Sequence, residues 1–202
     1  MERVISVVIG YAFGIIQSAF LIGKLTKGVD IRKFGSGNLG STNALRVLGK
    51  KAGLITILCD ISKSMLAFIL CTLLFKDMIF GMYACLGVIL GHNFPFYLKF
   101  KGGKGVASMI GMMFCVSYYD PMTAVFAAVF GIGTLLLTGY VSAGSLAFAA
   151  SIPFIVYLRG FSPEVTMIIF ALSILAIYKH KANIARLLSG TESKISLKKD
   201  KE

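Results

Sequence analysis

Long apolar runs dominate this chain, and short segments of charge, glycine or proline separate them. Runs of this length, with few charges inside, are typical of helices that cross a bilayer. The pattern predicts about seven such helices, over residues 4–23, 53–75, 79–98, 105–119, 121–139, 142–158 and 164–178. The fourth is short for a bilayer core of roughly 30 Å. It and the fifth are alternatively one tilted or partly re-entrant hairpin, which leaves five or six spans.

Composition agrees with that pattern. Hydrophobic residues make up 56% of the 202 positions and the mean hydropathy is +0.81, which is more apolar surface than one soluble domain can bury. We therefore expect an all-α, polytopic membrane helix bundle forming a single integral membrane domain over residues 1–202. The Lys- and Ser-rich end, from about Ser193, is predicted to be a short disordered cytoplasmic tail. The first apolar run, from Val4, is too long for a signal-peptide core and should remain as a span.

Basic residues predict the orientation. With the N-terminus outside, the cytoplasmic segments hold 17 of the 21 lysines and arginines. Such a bias places the C-terminus inside. The formal net charge of +12 is distributed between apolar segments, which indicates membrane topology and anionic ligands and argues against nucleic acid. The four cysteines lie inside apolar runs without metal-type spacing, so we expect them to be reduced and predict neither a disulfide framework nor a metal site. We also expect no cofactor.

The segment Lys99–Gly105 is a cationic, glycine-dense hinge between two apolar runs. Glycines let backbone N–H groups turn toward one anion, and lysines add full positive charge. This favours a phosphate site formed by Lys101, Gly102, Gly103 and Lys104, although a basic loop that only obeys the positive-inside rule is the alternative. The hinge lacks the Walker pattern. It also lacks the H-x-x-x-x-D box of common membrane acyltransferases, because Tyr97 is the fifth residue after His92.

A second polar segment follows the first predicted helix. Gly35–Gly40 satisfies G-x-G-x-x-G, but no strand precedes it, so a dinucleotide site is rejected. Its glycines and small polar residues, next to an arginine, favour an anion cradle, and a turn with a helix N-cap at Thr42 or Asn43 is the alternative. The candidate residues are Ser36, Gly37, Asn38, Gly40, Thr42, Asn43 and Arg46.

Further polar side chains lie at the same predicted membrane face. Ser142 and Ser145 share one helix face near an N-terminus, where hydroxyls and free N–H groups can bind an oxyanion or simply cap the helix. His92 closes the third helix and is either functional or structural. His180, Asn183 and Arg186 follow the last helix at spacings of three, on what is otherwise an amphipathic tail.

Asp60 and Lys63 are charged residues inside the second predicted helix. They stand three residues apart, deep enough that an unpaired charge would be costly. A structural ion pair and a role at the floor of a polar cavity are both open from the sequence.

Three of these segments, Gly35–Arg46, Gly91–Ser108 and His180–Glu192, together resemble the signature motifs of the bacterial acyl-phosphate:glycerol-3-phosphate acyltransferase family. The resemblance covers the whole chain, with Ser41 where alanine is expected and Ser108 where threonine is expected. It implies a bacterial inner-membrane enzyme with its active site on the cytoplasmic face. The implied substrates are fatty acyl phosphate and glycerol 3-phosphate, and the implied products are lysophosphatidate and phosphate for phospholipid synthesis.

The residue chemistry fits that reaction. Two phosphates near −2 need several cations, and Arg46 and Lys104 are the first candidates, with Lys63, Lys101, Arg186 and His180 assisting. Ser142, the polar side chains of the first loop and the backbone of Gly102 and Gly103 would complete the phosphate pockets. Either His92 or His180 is a candidate base. We favour a substrate phosphate as proton acceptor, because the motifs contain no Asp–His or Glu–His pairing.

One alternative is a membrane transporter for phosphate or a phosphorylated solute. It would explain the basic loops, but it should show polar residues on both faces and a polar route through the midplane. Only Gln17, Asp60 and Lys63 qualify. A membrane scaffold would need none of the polar loops. Chain-length preference and oligomeric state stay open.

Overall fold

The computed structural model describes residues 1–194 and is all-helical over that part of the chain. The helices are α1 Glu2–Gly14, α2 Ser18–Lys27, α3 Ser41–Leu48, α4 Lys50–Phe75, α5 Met78–Asn93, α6 Val106–Ser117, α7 Pro121–Thr138, α8 Val141–Leu158, α9 Pro163–Lys179 and α10 Lys181–Leu188, with short 3-10 turns at Ile31–Lys33 and Phe96–Leu98. The predicted all-α membrane bundle is confirmed. Most of the predicted tail, residues 195–202, lies outside the described residues.

Five helical stretches are long and apolar enough to cross a membrane: Glu2–Lys27, Lys50–Phe75, Met78–Leu98, Pro121–Thr138 and Val141–Leu158. The pair α9 and α10 adds a sixth if it counts as one span bent by 56°. Helix α6 has 12 residues, or roughly 18 Å, and is shorter than the bilayer core. All seven predicted segments are therefore helical, and the number that cross the bilayer stays a prediction.

The first span is broken, where the apolar pattern predicts one continuous helix over 4–23. Residues 15–17 separate α1 from α2. The carbonyl groups freed by the break need donors, because the bilayer core supplies none. The fully buried Gln17 side chain donates to Gly14 O at 3.3 Å and to His92 O at 3.0 Å, and Lys63 Nζ donates to Ile16 O at 3.1 Å.

Glycines bring α1 and α5 into close contact. A Cβ at Gly10 or Gly14 would collide with the α5 backbone at Ala84 or Val88, and a Cβ at Gly87 would collide with Val7 in return. Small residues allow this approach between membrane helices, which leaves van der Waals packing as the main attraction. The contact fixes the C-terminal end of α5, and with it His92.

Two ion pairs connect helices at the end of the bundle opposite to His92. Arg3, at the start of α1, lies 2.7 Å from Glu164 in α9. Arg159, after α8, lies 2.7 Å from Asp120, which precedes α7. The apolar core between the two ends is formed mainly by residues of α5, α6, α8 and α9.

Candidate active site

Four connections that the sequence separates widely meet around one cavity of about 490 Å³. They are the loop before α3, the start of α6, the start of α8 and the bend between α9 and α10. The polar residues that line the cavity are Ser36, Asn38, Ser41, Thr42, Asn43, Arg46, Asp60, His92, Lys104, Ser142, Ser145, His180, Asn183, Arg186, Glu192 and Ser193, and Gly40 lies among them. The structure therefore brings together most of the residues that the sequence selects.

The remaining predicted site residues do not line the cavity. Lys101 is exposed to solvent, and Lys63 is buried behind the wall. Gly37 closes a turn, and its N–H donates a hydrogen bond to Phe34 O at 3.0 Å. The N–H groups of Gly102 and Gly103 donate to Asn93 O at 3.2 Å and His92 O at 3.0 Å, so these two are not the phosphate donors that the glycine pattern predicts.

The glycines of the hinge have a packing role instead. A Cβ at Gly103 would collide with Nε2 of His92, and one at Gly102 would collide with the His92 carbonyl. The hinge thus lies directly against the end of α5. It carries Lys104 and the N-terminus of α6 to the cavity, where Gly105, Val106 and Ala107 form part of the wall.

The first loop is organised by Asn43, one of its predicted substrate ligands. The Asn43 carboxamide accepts from Ser36 N at 2.9 Å and donates to Phe34 O at 3.2 Å, so it holds the loop in shape. The N-cap of α3 is Gly40, not Thr42 or Asn43. Helix α3 still carries Arg46 to the cavity, as the sequence predicts.

Lys104 is the cation most enclosed by the site. Its Nζ donates to Oδ1 of Asn183. Burial, together with the positive charge of Arg186, lowers the pKa of Lys104 from 10.5 to about 8. An arriving phosphate would reverse that shift, because an anion favours the charged form.

Glu192 joins the last two connections, and the sequence reasoning assigned it no role. Its carboxylate accepts from Ser142 Oγ at 2.8 Å, Asn183 Nδ2 at 2.7 Å and Arg186 Nε at 2.6 Å. Burial raises the pKa of Glu192, but the three hydrogen bonds together lower it by more. The net pKa of Glu192 is therefore below its usual value. The available signal was that Glu192 is the only acid in the segment His180–Glu192.

The hydroxyl of Ser145 is already engaged. It donates to Val141 O of its own helix at 2.9 Å, so only its acceptor capacity faces the cavity. Ser142 is more directly placed, because its hydroxyl belongs to the Glu192 cluster.

A buried polar group of α4 and α5 reaches the cavity through Asp60 and His92, with Lys63 behind them. Lys63 Nζ lies 2.8 Å from Asp60 Oδ1 and 2.8 Å from His92 Nδ1. Asp60 also accepts from Ser18 Oγ at 3.1 Å. The predicted Asp60–Lys63 ion pair is present, and it includes a histidine that the sequence placed only at the membrane interface.

The rest of the cavity wall is apolar. It is formed by side chains of α4, α6, α7 and α8, among them Ile57, Ile110, Met113, Phe114, Ala124, Ala128, Ile132, Leu135 and Phe148. The cavity has a cationic, hydrogen-bonding part and an apolar part. Such a cavity suits an amphiphile with an anionic head.

Comparison with known proteins agrees with this geometry. Residues 4–190 match the family model described as glycerol-3-phosphate acyltransferase. A relative from Endomicrobium trichonymphae, named glycerol-3-phosphate acyltransferase, is 37% identical over 98% of both chains. The fold is similar to two crystal structures of PlsY, an integral membrane glycerol 3-phosphate acyltransferase, in its glycerol 3-phosphate and lysophosphatidic acid forms. Each is 34% identical and covers 97% of this chain and 96% of its own, with TM-scores of 0.88 and 0.85. The chain therefore belongs to the glycerol-3-phosphate acyltransferase family.

Proposed function

We propose that this protein transfers a fatty acyl group from acyl phosphate to the 1-hydroxyl of glycerol 3-phosphate at the cytoplasmic face of the bacterial inner membrane. The observation that carries the proposal is the cavity itself. Cationic and polar residues from four connections share it with an apolar wall. The PlsY forms named for glycerol 3-phosphate and lysophosphatidic acid support the acceptor and the product.

The anionic parts of both substrates need charge compensation in a partly desolvated site. Arg46, Lys104 and Arg186 line the polar part and supply it. Ser36, Asn38, Thr42 and Ser142 offer further donors. The acyl chain would lie along the apolar wall between α6, α7 and α8, where it can arrive laterally from the bilayer.

The reaction needs no enzyme nucleophile, because acyl phosphate is an activated mixed anhydride. The oxygen of the glycerol hydroxyl attacks the acyl carbonyl carbon, the bond from that carbon to the phosphate oxygen breaks, and phosphate leaves. A phosphate oxygen with a pKa near 6 takes the hydroxyl proton. The enzyme contributes position and electrostatic stabilisation.

The test measures products in a defined system. The full chain in lipid nanodiscs is given palmitoyl phosphate and radiolabelled glycerol 3-phosphate, and lysophosphatidate and free phosphate are quantified. We expect the two products in equal amounts, and phosphate release that depends on glycerol 3-phosphate. Palmitoyl-CoA and palmitoyl-acyl carrier protein are the control donors. Transfer from either of them without acyl phosphate would contradict the proposed donor.

The location is tested separately. Single cysteines at Arg46 and Lys101, in a chain whose native cysteines are replaced, are labelled with a membrane-impermeant maleimide in sealed vesicles of known orientation. We expect both to react from the cytoplasmic side. Labelling of the two positions from opposite sides would exclude a shared cavity.

A further inference from the structure

The two histidines of the chain both line the cavity, and their ring nitrogens have different partners. His92 is 3% exposed and His180 is 3% exposed. At His92, Nδ1 lies 2.8 Å from Lys63 Nζ. At His180, Nδ1 lies 2.7 Å from Ala176 O. A carbonyl only accepts and an ammonium only donates, so the two rings differ in where the proton lies.

The donors of Lys63 are fully used. An ammonium group has three N–H donors. The three shortest contacts of Lys63 are Asp60 Oδ1 at 2.8 Å, His92 Nδ1 at 2.8 Å and Ile16 O at 3.1 Å, and Gly14 O lies further away at 3.5 Å. One N–H therefore points at Nδ1 of His92, and that nitrogen must be the acceptor.

Charge balance gives the same result. Asp60 is 1% exposed and Lys63 is 5% exposed, so they form a buried pair with no net charge. A second cation on the imidazole would have no further carboxylate to balance it, which is costly in a buried site. Asp60 Oδ1 lies 3.7 Å from His92 Nδ1, beyond hydrogen-bonding distance. His92 is thus neutral, with its proton on Nε2.

We infer that Lys63, held by Asp60, is a positioning residue that fixes His92 as an Nε2–H donor toward the substrate. The inference rests on the proposed function and adds a role to it. Nε2 of His92 lies beside Gly103 of the hinge, and among the described residues no group hydrogen-bonds it. His92 lines the cavity, so that N–H is available to a phosphate or to the carbonyl oxygen of the acyl group. His92 cannot take the hydroxyl proton in this state, because its only acceptor nitrogen is occupied.

His180 presents the opposite chemistry. Its Nδ1 donates to Ala176 O, so the neutral ring offers Nε2 as an acceptor. The cavity therefore has a donor imidazole from α5 and an acceptor imidazole from the α9–α10 bend. The acceptor, His180, can orient the glycerol hydroxyl. The donor, His92, stabilises the negative charge that develops on the phosphate or the carbonyl oxygen of the acyl donor.

The first test is spectroscopic and measures the wild-type protein, with one variant used only to assign the signals. Because the chain has only two histidines, histidine labelled with 15N on both ring nitrogens gives four signals in solid-state NMR of the full chain in lipid bilayers. His180→Gln identifies which two belong to His92. We expect a protonated Nε2 and an unprotonated Nδ1 at His92, and the reverse at His180. A protonated Nδ1 at His92 would overturn the inference.

The second test removes the positioning pair. Asp60→Asn combined with Lys63→Met deletes both buried charges, so neither is left unbalanced. We expect the His92 signals to change to a mixture of both neutral forms, and kcat to fall about 10- to 100-fold, the range for partners that orient a functional imidazole. The KM for glycerol 3-phosphate should change by less than about threefold, because the phosphate ligands are untouched.

Ser64→Ala is the matched control. Ser64 is the next residue in α4 and is fully buried, and its Oγ has no hydrogen-bond partner within residues 1–194. It should leave the His92 signals and kcat unchanged. A folded double variant with wild-type kcat, or with a raised KM alone, would contradict the positioning role. Absence of acyl transfer by the wild-type protein would contradict the proposed function, and the NMR assignment of the two rings would still decide the tautomer.

Discussion

The two ends of this bundle treat charge in opposite ways. At the end away from the cavity, Arg3 pairs with Glu164 and Arg159 with Asp120, each at 2.7 Å. At the cavity end Arg186 pairs with Glu192 at 2.6 Å, but Arg46 and Lys104 have no carboxylate partner among the described residues. The two ion pairs at the far end balance each other's charges without a ligand. The cavity end retains an excess of positive charge. The charges at the far end therefore stabilise the fold, whereas the excess positive charge in the cavity is available to bind an anion.

The direction of the pKa shifts supports this distinction. The Arg159 guanidinium holds the pKa of Asp120 well below its usual range, so that carboxylate stays charged at any ordinary pH. Burial instead lowers the pKa of Lys104 toward neutrality. The first environment stabilises the charge that it contains, and the second destabilises it. An environment that destabilises its own cation gains the most from binding an anion.

The largest expected effect follows from removal of that cation. Lys104→Met keeps the aliphatic stem and deletes the charge, so the site loses one of its phosphate partners. We expect kcat/KM for glycerol 3-phosphate to fall about 10²- to 10³-fold, the range for a lost transition-state donor. Radiometric acyl transfer in nanodiscs measures it. Lys101→Met is the control, because Lys101 belongs to the same loop but is exposed outside the cavity. Equal losses in the two variants would remove the special role of Lys104.

A smaller effect is expected at Gly103. The alanine methyl group would collide with Nε2 of His92, so α5 and the hinge must separate. We expect a loss of about 1 to 3 kcal/mol in stability, as for other overpacked sites, and roughly a tenfold fall in kcat/KM, because a displaced donor is misaligned with the reacting atoms. Thermal unfolding in detergent and the transfer assay measure the two effects.

Gly133→Ala is the matched control for Gly103→Ala. In the part of the chain that the structure describes, no neighbouring atom lies within 4 Å of a Cβ built at Gly133, which is inside α7. Alanine should be neutral or slightly stabilising there, because it favours a helix more than glycine does. If Gly103→Ala also left both quantities unchanged, the close packing of the hinge on His92 would be irrelevant to function.

The same glycines illustrate what the sequence could and could not predict. Gly102 and Gly103 correctly indicated that something approaches the backbone closely, because glycine permits such contact. The pattern did not identify the partner, which is the end of α5 and not a phosphate. The local sequence shows that the backbone at Gly102 and Gly103 can be approached closely. It does not show that the approaching group is the end of α5, which is distant in the local pattern.

The break between α1 and α2 has a similar cause. Apolar runs located all seven predicted helical segments, because their length and boundaries are local properties. The break at residues 15–17 depends on Gln17 and on Lys63, a residue of α4. The sequence contained both residues, but only the packing of α1 against α4 and α5 brings donors to the freed carbonyl groups. The contact of His92 with the Asp60–Lys63 pair was hidden for the same reason.

The pH dependence of kcat/KM should reflect the destabilised charge of Lys104 at the cavity end. A lysine with a pKa of about 8 loses its charge as the pH rises through that value, whereas the second pKa of glycerol 3-phosphate, near 6, is already passed at pH 7. We expect kcat/KM, which reports the free enzyme, to fall about tenfold between pH 7 and pH 9. Lys104→Arg should flatten that profile, because arginine stays charged over the whole range. An unchanged slope in the arginine variant would assign the titration to another group.

The smallest effect is expected at the far end, where Asp120→Asn combined with Arg159→Gln removes a complete ion pair. Both side chains lie at the protein surface and satisfy each other, and such exposed pairs contribute little to stability. No residue of this pair lines the cavity. We expect kcat/KM to stay within about twofold of wild type, since the excess positive charge of the cavity end is unaltered. The acyl transfer assay, repeated at low and high ionic strength, measures it. A large loss would mean that the two ends are coupled through the helices and that charge balance at one end is needed to shape the other.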